Sequence, residues 1–143
     1  VGKGKTLPQI IVSDPDWFFW AIDQGAFKGG LAIQAQKLAQ RARKIKLPPA
    51  LVNDHCKQYL LTPDGKFAGF KVIHQDQPAH VGSSSEVRKP TLNLEAPRHF
   101  AQYDKLGCKL LLKTFKYYWF SDKPFSKKRV EDFFDDPARF LNP

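Results

Sequence analysis

The sequence is poor in residues that mark secreted or membrane proteins. It has no methionine, even at position 1, and only two cysteines, Cys56 and Cys108, which form no Cys-x-x-Cys pair. Secreted domains that depend on disulfides usually carry more cysteines, so we expect a reducing compartment, the cytoplasm. No stretch approaches the roughly 20 apolar residues of a spanning helix, and the first residues lack the long apolar core of a signal peptide. We therefore expect no membrane partner. The absence of a methionine at position 1 means either that the natural start lies upstream of Val1 or that the chain has been trimmed.

Acidic residues are also scarce. The 143 residues include 23 Lys and Arg against 14 Asp and Glu, a formal charge of +9, and no acid lies between Asp23 and Asp54. A charge of this size attracts polyanions, which leaves nucleic acid, an anionic membrane surface or an acidic protein as partners. With 42% hydrophobic and 13% aromatic residues, the composition is that of one globular domain.

The pattern predicts an α+β fold: a single domain of several short helices, one β-hairpin and a long irregular loop. Residues 1–47 read as a helical basic segment, 57–75 as the hairpin, 76–97 as the loop with a short strand possible near Val87, and 98–143 as a helical C-terminal part. The turn sequence Thr62-Pro63-Asp64-Gly65 separates the two strands of the hairpin.

Capping residues and apolar spacing locate the helices. Thr6 and Asp14-Pro15 each start one, and Ser126 caps a last one through Phe134. The segment over 97–120 is predicted helical despite Gly107, with a strand as the alternative for the β-favouring run 115–120. The most regular helix opens at Gly29-Gly30 and runs to Pro48-Pro49, with an apolar stripe at a spacing of three and four residues. Its members are Leu31, Ala35, Leu38, Ala42 and Ile45. We expect Leu31, Leu38 and Ile45 to be buried.

Two rows of basic residues are the main functional candidates. Lys37, Arg41 and Lys44 share one face of the predicted helix, and Lys105, Lys109, Lys113 and Lys116 align along another if 97–120 is helical. Either row is also compatible with an ordinary solvated face, but surfaces built for solubility usually mix both signs of charge. Tyr117, Tyr118 and Trp119 lie among these lysines and either stack on bases or, as we favour, belong to the core.

No complete set of catalytic residues is present, so we expect no enzyme, no cofactor and no metal. His74, Asp76 and His80 have a spacing that suits metal ligands. Pro63-Asp64 with Glu86-Val87-Arg88 is faintly similar to the carboxylates of metal-dependent nucleases, with the lysine replaced. Gly4-Lys5-Thr6 has only the tail of a phosphate-binding loop.

The N-terminal segment resembles a known family. Gly2-Lys3-Gly4-Lys5-Thr6-Leu7, followed by Ser13-Asp14-Pro15-Asp16-Trp17-Phe18-Phe19-Trp20-Ala21, is similar to a small bacterial and phage domain. That domain lies C-terminal to the nuclease domain in exodeoxyribonuclease X-like proteins and alone in the quorum-sensing-regulated virulence factor family. The basic turn here, Val-Gly-Lys-Gly-Lys, is shorter than the family pattern, and the match covers about residues 1–25. The resemblance implies association with DNA-processing proteins, no catalytic residue in this segment, and a basic role for Lys3 and Lys5.

Charge and resemblance together predict a non-catalytic nucleic-acid-binding domain, with DNA favoured over RNA, in a bacterial or phage context. The alternative is a protein-interaction module that binds an acidic host protein, and the third reading is a metal-dependent nuclease. The predicted nucleic-acid contacts are Lys3, Lys5, Lys37, Arg41, Lys44, Lys105, Lys109, Lys113 and Lys116.

Overall fold

The computed structural model describes residues 5–100 and 105–141 and confirms the α+β class. Within those residues the helices are α1 (Leu7–Ser13), α2 (Pro15–Asp23), α3 (Gly29–Ala42), α4 (Ala96–Phe100), α5 (Lys105–Trp119) and α6 (Lys127–Asp135). The strands are β1 (Ile45–Lys46), β2 (His55–Leu61), β3 (Phe67–His74), β4 (Ser85–Lys89) and β5 (Thr91–Leu92). A short 3₁₀ helix, Pro137–Arg139, follows α6. None of the helices in the described ranges is long and apolar enough to cross a membrane.

The predicted helix starts at Asp14 and Ser126 are confirmed. The Asp14 carboxylate accepts a hydrogen bond from the Trp17 amide at 3.0 Å, and Pro15 occupies the first position of α2. The Ser126 hydroxyl accepts one from the Arg129 amide at 3.3 Å. Each contact satisfies an amide that the first turn of a helix leaves without a partner, so the start is encoded locally.

The predicted extent of α3 is wrong at its C-terminal end, and one residue of its stripe is not buried. The helix ends at Ala42, and Ile45 lies in β1, where it is fully buried opposite Leu92 of β5. A β-branched side chain is well suited to that extended, buried position. Leu38 is buried as expected, but Leu31 is 47% exposed because the first turn of α3 borders a cavity rather than the core.

The sheet contains one more strand than the predicted hairpin. β2 and β3 pair antiparallel, with Tyr59 opposite Phe70, and the hairpin begins at His55 rather than at residue 57. β4 pairs with the other edge of β2, giving the order β3-β2-β4. The short strand expected near Val87 within the predicted loop over 76–97 is confirmed as β4. The loop prediction is wrong for β5, because pairing with β1 gives that segment hydrogen-bond partners that local sequence does not reveal.

The core joins the sheet to the C-terminal helices. α5 packs against β3 through a buried side formed by Gly107, Leu111, Phe115 and Trp119. Phe115 lies within 5.3 Å of Phe120 and Phe133, measured between ring centroids. α4 and α5 occupy much of the predicted helix over 97–120, whose residues 101–104 lie outside the described part of the chain.

Leu38→Ala is expected to lower the free energy of unfolding by about 2–5 kcal/mol, because it removes buried methyl groups and leaves a void. Leu38 is 7% exposed, whereas Ile33 of the same helix is 73% exposed. The control Ile33→Ala should therefore change stability by no more than about 0.5 kcal/mol. Urea denaturation of both variants measures the difference. Equal losses for the two would mean that α3 does not pack by the face described.

Candidate nucleic-acid interface

The arginines and the lysines of this protein have different environments. All six arginines make hydrogen bonds or ion pairs within the folded chain. Four pair with carboxylates, namely Arg43 with Glu95, Arg88 with Glu86, Arg98 with Asp16 and Asp23, and Arg139 with Asp136. Arg41 and Arg129 donate to the backbone carbonyls of Phe134 and Pro124. In the part of the chain that the structure describes, the cations without an ion pair or a side-chain hydrogen bond are therefore lysines.

A row of lysines follows the outer side of α5, as the sequence predicted. Lys105, Lys109 and Lys113 are exposed and Lys116 is half-buried, each three or four residues from the next. Within the described ranges none of the four forms an ion pair. α5 itself contains no acidic residue. The result is a continuous positive edge on the side of the helix away from the core.

Two carboxylates near the start of this row are already engaged. Lys105 and Lys109 border a small cavity of about 180 Å³ that Asp14 and Asp16 also line. Asp14 caps α2, and the carboxylate of Asp16 lies 3.0 Å from the Arg98 guanidinium. The ion pair with Arg98 reduces the capacity of Asp16 to neutralise the lysines.

Lys5, Lys37 and Arg41 come together around a larger cavity. This space, which we call the aromatic cavity, has a volume of about 610 Å³ and is also lined by Trp17, Phe27 and Leu31. Lys5 and Lys37 are exposed. The N-terminus of α1, the start and middle of α3, and α6 all contribute to its walls.

Arg41 and Lys44 do not form one open face with Lys37. The Arg41 guanidinium donates to the Phe134 carbonyl and lies 5.4 Å from the centroid of the Phe140 ring, so it stabilises the contact between α3 and the C-terminal segment. Lys44 is exposed beyond the end of α3, and its carbonyl accepts a hydrogen bond from the Leu141 amide. Lys3 lies outside the described residues.

The residues considered for metal chemistry are not assembled into a site. His74 Nδ1 lies 3.6 Å from an Asp76 oxygen, whereas His80 contacts Glu86 through its backbone amide. In residues 5–100 and 105–141 no three His, Cys, Asp or Glu side chains are grouped so that they could hold a metal ion. Asp64 hydrogen-bonds to Thr62 in the hairpin turn, and Glu86 pairs with Arg88 at 3.1 Å, so the two carboxylates have separate structural partners.

Among the aromatic residues near the α5 lysines, Trp119 belongs to the core. It is 7% exposed, and its ring nitrogen donates to the Lys46 carbonyl at 2.7 Å. Tyr118 is half-buried, and Tyr117 is 60% exposed. The preference for a core role is therefore confirmed for Trp119 and wrong for Tyr117.

Sequence reasoning missed Lys57, which is fully buried in the central strand β2. Its Nζ has no hydrogen-bond partner in the described part of the chain and lies 5.2 Å from the Phe70 ring centroid and 5.9 Å from that of Tyr59. Burial lowers the pKa of Lys57 to about 7. One signal in the sequence could have indicated this burial. Side chains alternate between the two faces of a strand, so Lys57 lies on the same face as Tyr59.

Comparison of this chain with models of known protein families, with curated proteins and with solved structures gives no match. The N-terminal resemblance thus stays a prediction.

Proposed function

We propose that this chain is a non-catalytic nucleic-acid-binding domain that contacts the phosphate backbone mainly through the lysine row of α5. The observation that carries the proposal is the alignment of four lysines without ion-pair partners in the described ranges, on a helix that has no acid. Phosphates repeat along a nucleic acid as a regular negative track, which such a row can follow. Lys5 and Lys37 add positive charge at the aromatic cavity.

The type of cation argues against sequence recognition. Arginine is the side chain that most often reads guanine through paired hydrogen bonds, and every arginine here already has a partner within the fold. Lysine acts as a flexible point charge, which suits phosphates in any sequence. DNA, in a bacterial or phage context, is the partner that the N-terminal resemblance favours.

A salt titration tests the proposal. Fluorescence anisotropy with two labelled duplexes of unrelated sequence should give equal affinities, which fall with salt as counterions are released. Four neutralised phosphates predict a log–log slope of about −3.6, from about −0.9 for each contact on duplex DNA. A strong preference for one duplex would contradict backbone binding, and failure to bind both the duplexes and a single strand at low salt would reject the proposal.

A second candidate, a module that binds an acidic protein, has one observation in its favour. Leu106, Leu110 and Tyr117 of α5 are 72%, 40% and 60% exposed and lie beside the lysine row. Apolar residues rimmed by charge are common in protein interfaces. This candidate predicts no affinity for duplex or single strand, so the same titration separates it from the first.

A further inference from the structure

One wall of the aromatic cavity consists of aromatic and apolar side chains that are only partly buried. Trp17 and Phe27 pack edge to face with their ring centroids 6.1 Å apart and are only partly buried. Leu31, in the first turn of α3, also lines the space and remains 47% exposed. The volume of about 610 Å³ lies within the range of cavities that hold small organic ligands.

The basic and the acidic side chains that line the cavity come from different parts of the chain. Lys5 precedes α1, and Lys37 and Arg41 belong to α3, whereas the two acids, Glu131 and Asp135, are both on α6. The Nε atom of Arg41 is buried and has no hydrogen-bond partner in the described part of the chain. The cavity therefore offers an apolar aromatic wall, cations from α3 and from the segment before α1, and carboxylate acceptors from α6.

We propose that the aromatic cavity binds an unpaired nucleobase, so that the domain prefers single-stranded nucleic acid to duplex; this rests on the proposed function. The base packs against Trp17, Phe27 and Leu31, as bases stack on aromatic side chains in single-strand-binding proteins. The adjoining phosphate meets Lys5 and Lys37. Glu131 and Asp135 accept hydrogen bonds from the N–H groups on the edge of the base, an edge that pairing hides in a duplex.

Strand preference is diagnostic because charge alone predicts the opposite order. A duplex has the higher density of phosphates, and a site that used lysines alone would bind it at least as tightly. The first measurement compares an unstructured single strand of roughly a dozen nucleotides, close to the site sizes of known single-strand binders, with the duplex of the same sequence. We expect tighter binding of the single strand, accompanied by quenching of tryptophan fluorescence.

A pair of variants then tests whether the aromatic cavity causes the preference for single strands. Leu31→Glu places a carboxylate in the cavity, whereas Ile33→Glu makes the same change in charge on the same helix at a residue that does not line it. Leu31→Glu should weaken single-strand binding about tenfold more than Ile33→Glu, the size expected for losing one stacked base. The two variants should bind duplex equally. Because both residues are exposed, thermal melting should show that both variants fold.

A second pair keeps the side-chain size nearly constant. Gln34 is exposed and lines the cavity, while Gln36 is exposed on the same helix outside it. Gln34→Glu should reduce single-strand affinity more than Gln36→Glu. This second pair tests the cavity even if Leu31→Glu disturbs folding.

The outcomes separate this inference from the proposed function. Equal affinities of the native protein for single strand and duplex, or equal losses within both pairs of variants, would overturn the cavity site and leave backbone binding intact. Absence of binding to either nucleic acid at low salt would reject the proposed function itself.

Discussion

Lys57→Met is expected to raise the free energy of unfolding at pH 7 by roughly 3–5 kcal/mol. The ammonium group loses its hydration on folding and gains no hydrogen-bond partner in the described residues, which lowers the pKa of Lys57 from 10.5 to about 7. Each unit of pKa difference between folded and unfolded states corresponds to about 1.4 kcal/mol. Methionine has a similar length, needs no hydrogen bond and packs well against the rings of Tyr59 and Phe70.

The stabilisation by Lys57→Met should depend on pH. Between pH 7 and 10.5 the unfolded chain keeps the proton on Lys57 and the folded chain has lost it, so native stability should rise with pH. Below pH 7 both states are protonated, and the penalty is at its full, constant value. The advantage of Lys57→Met should therefore be largest near pH 6 and shrink toward pH 10, by about 1.4 kcal/mol per unit within the window.

Urea denaturation from pH 6 to 10 measures the difference between the native chain and the variant. Burial raises the pKa of the Cys56 thiol and raises that of Tyr59 to about 12, but both groups are present in both proteins. Lys71→Met, at an exposed position of the neighbouring strand β3, is the matched control and should change stability by no more than about 0.5 kcal/mol. If the gain in the free energy of unfolding for Lys57→Met did not vary between pH 7 and 10, the burial penalty would not come from the charge of Lys57.

The features that could be predicted from the sequence are those set by neighbouring residues. Asp14 and Ser126 start helices because each side chain bonds an amide three residues ahead. The lysine row of α5 follows from helical spacing as soon as the segment is helical. Both depend only on contacts within a few residues, which an isolated segment already contains.

The features that were missed depend on contacts between distant segments. Ile45 continues the apolar spacing of α3, but its pairing with Leu92 draws it into a strand. Arg41 shares a helical face with Lys37 by spacing, yet the Phe134 carbonyl, 93 residues away, holds its guanidinium. The aromatic cavity likewise exists only when α1, α2, α3 and α6 meet. None of these partners can be identified from the residues around Ile45 or Arg41.

Reversing the charge of the α5 row should abolish nucleic-acid binding. The variant changes Lys105, Lys109 and Lys113, the three exposed members of the row, to glutamate. It replaces attraction by repulsion along the proposed contact, and we expect a loss of at least about 100-fold at low salt. The corresponding alanine variant should bind weakly and flatten the salt slope by about 2.7, since each phosphate contact contributes about 0.9.

A second set of lysines separates the α5 row from the overall charge of the protein. Lys89, Lys123 and Lys127 are exposed and lie on β4, after α5 and at the start of α6. Changing these three to glutamate lowers the formal charge by the same six units, from +9 to +3. The control variant should lose only the weaker, long-range part of the attraction, which salt screens, and should keep the native slope. Thermal melting of both variants checks that they fold, because all six side chains point to solvent. Equal losses for the two sets would assign binding to net charge, and full binding by the α5 variant would exclude the row as the contact.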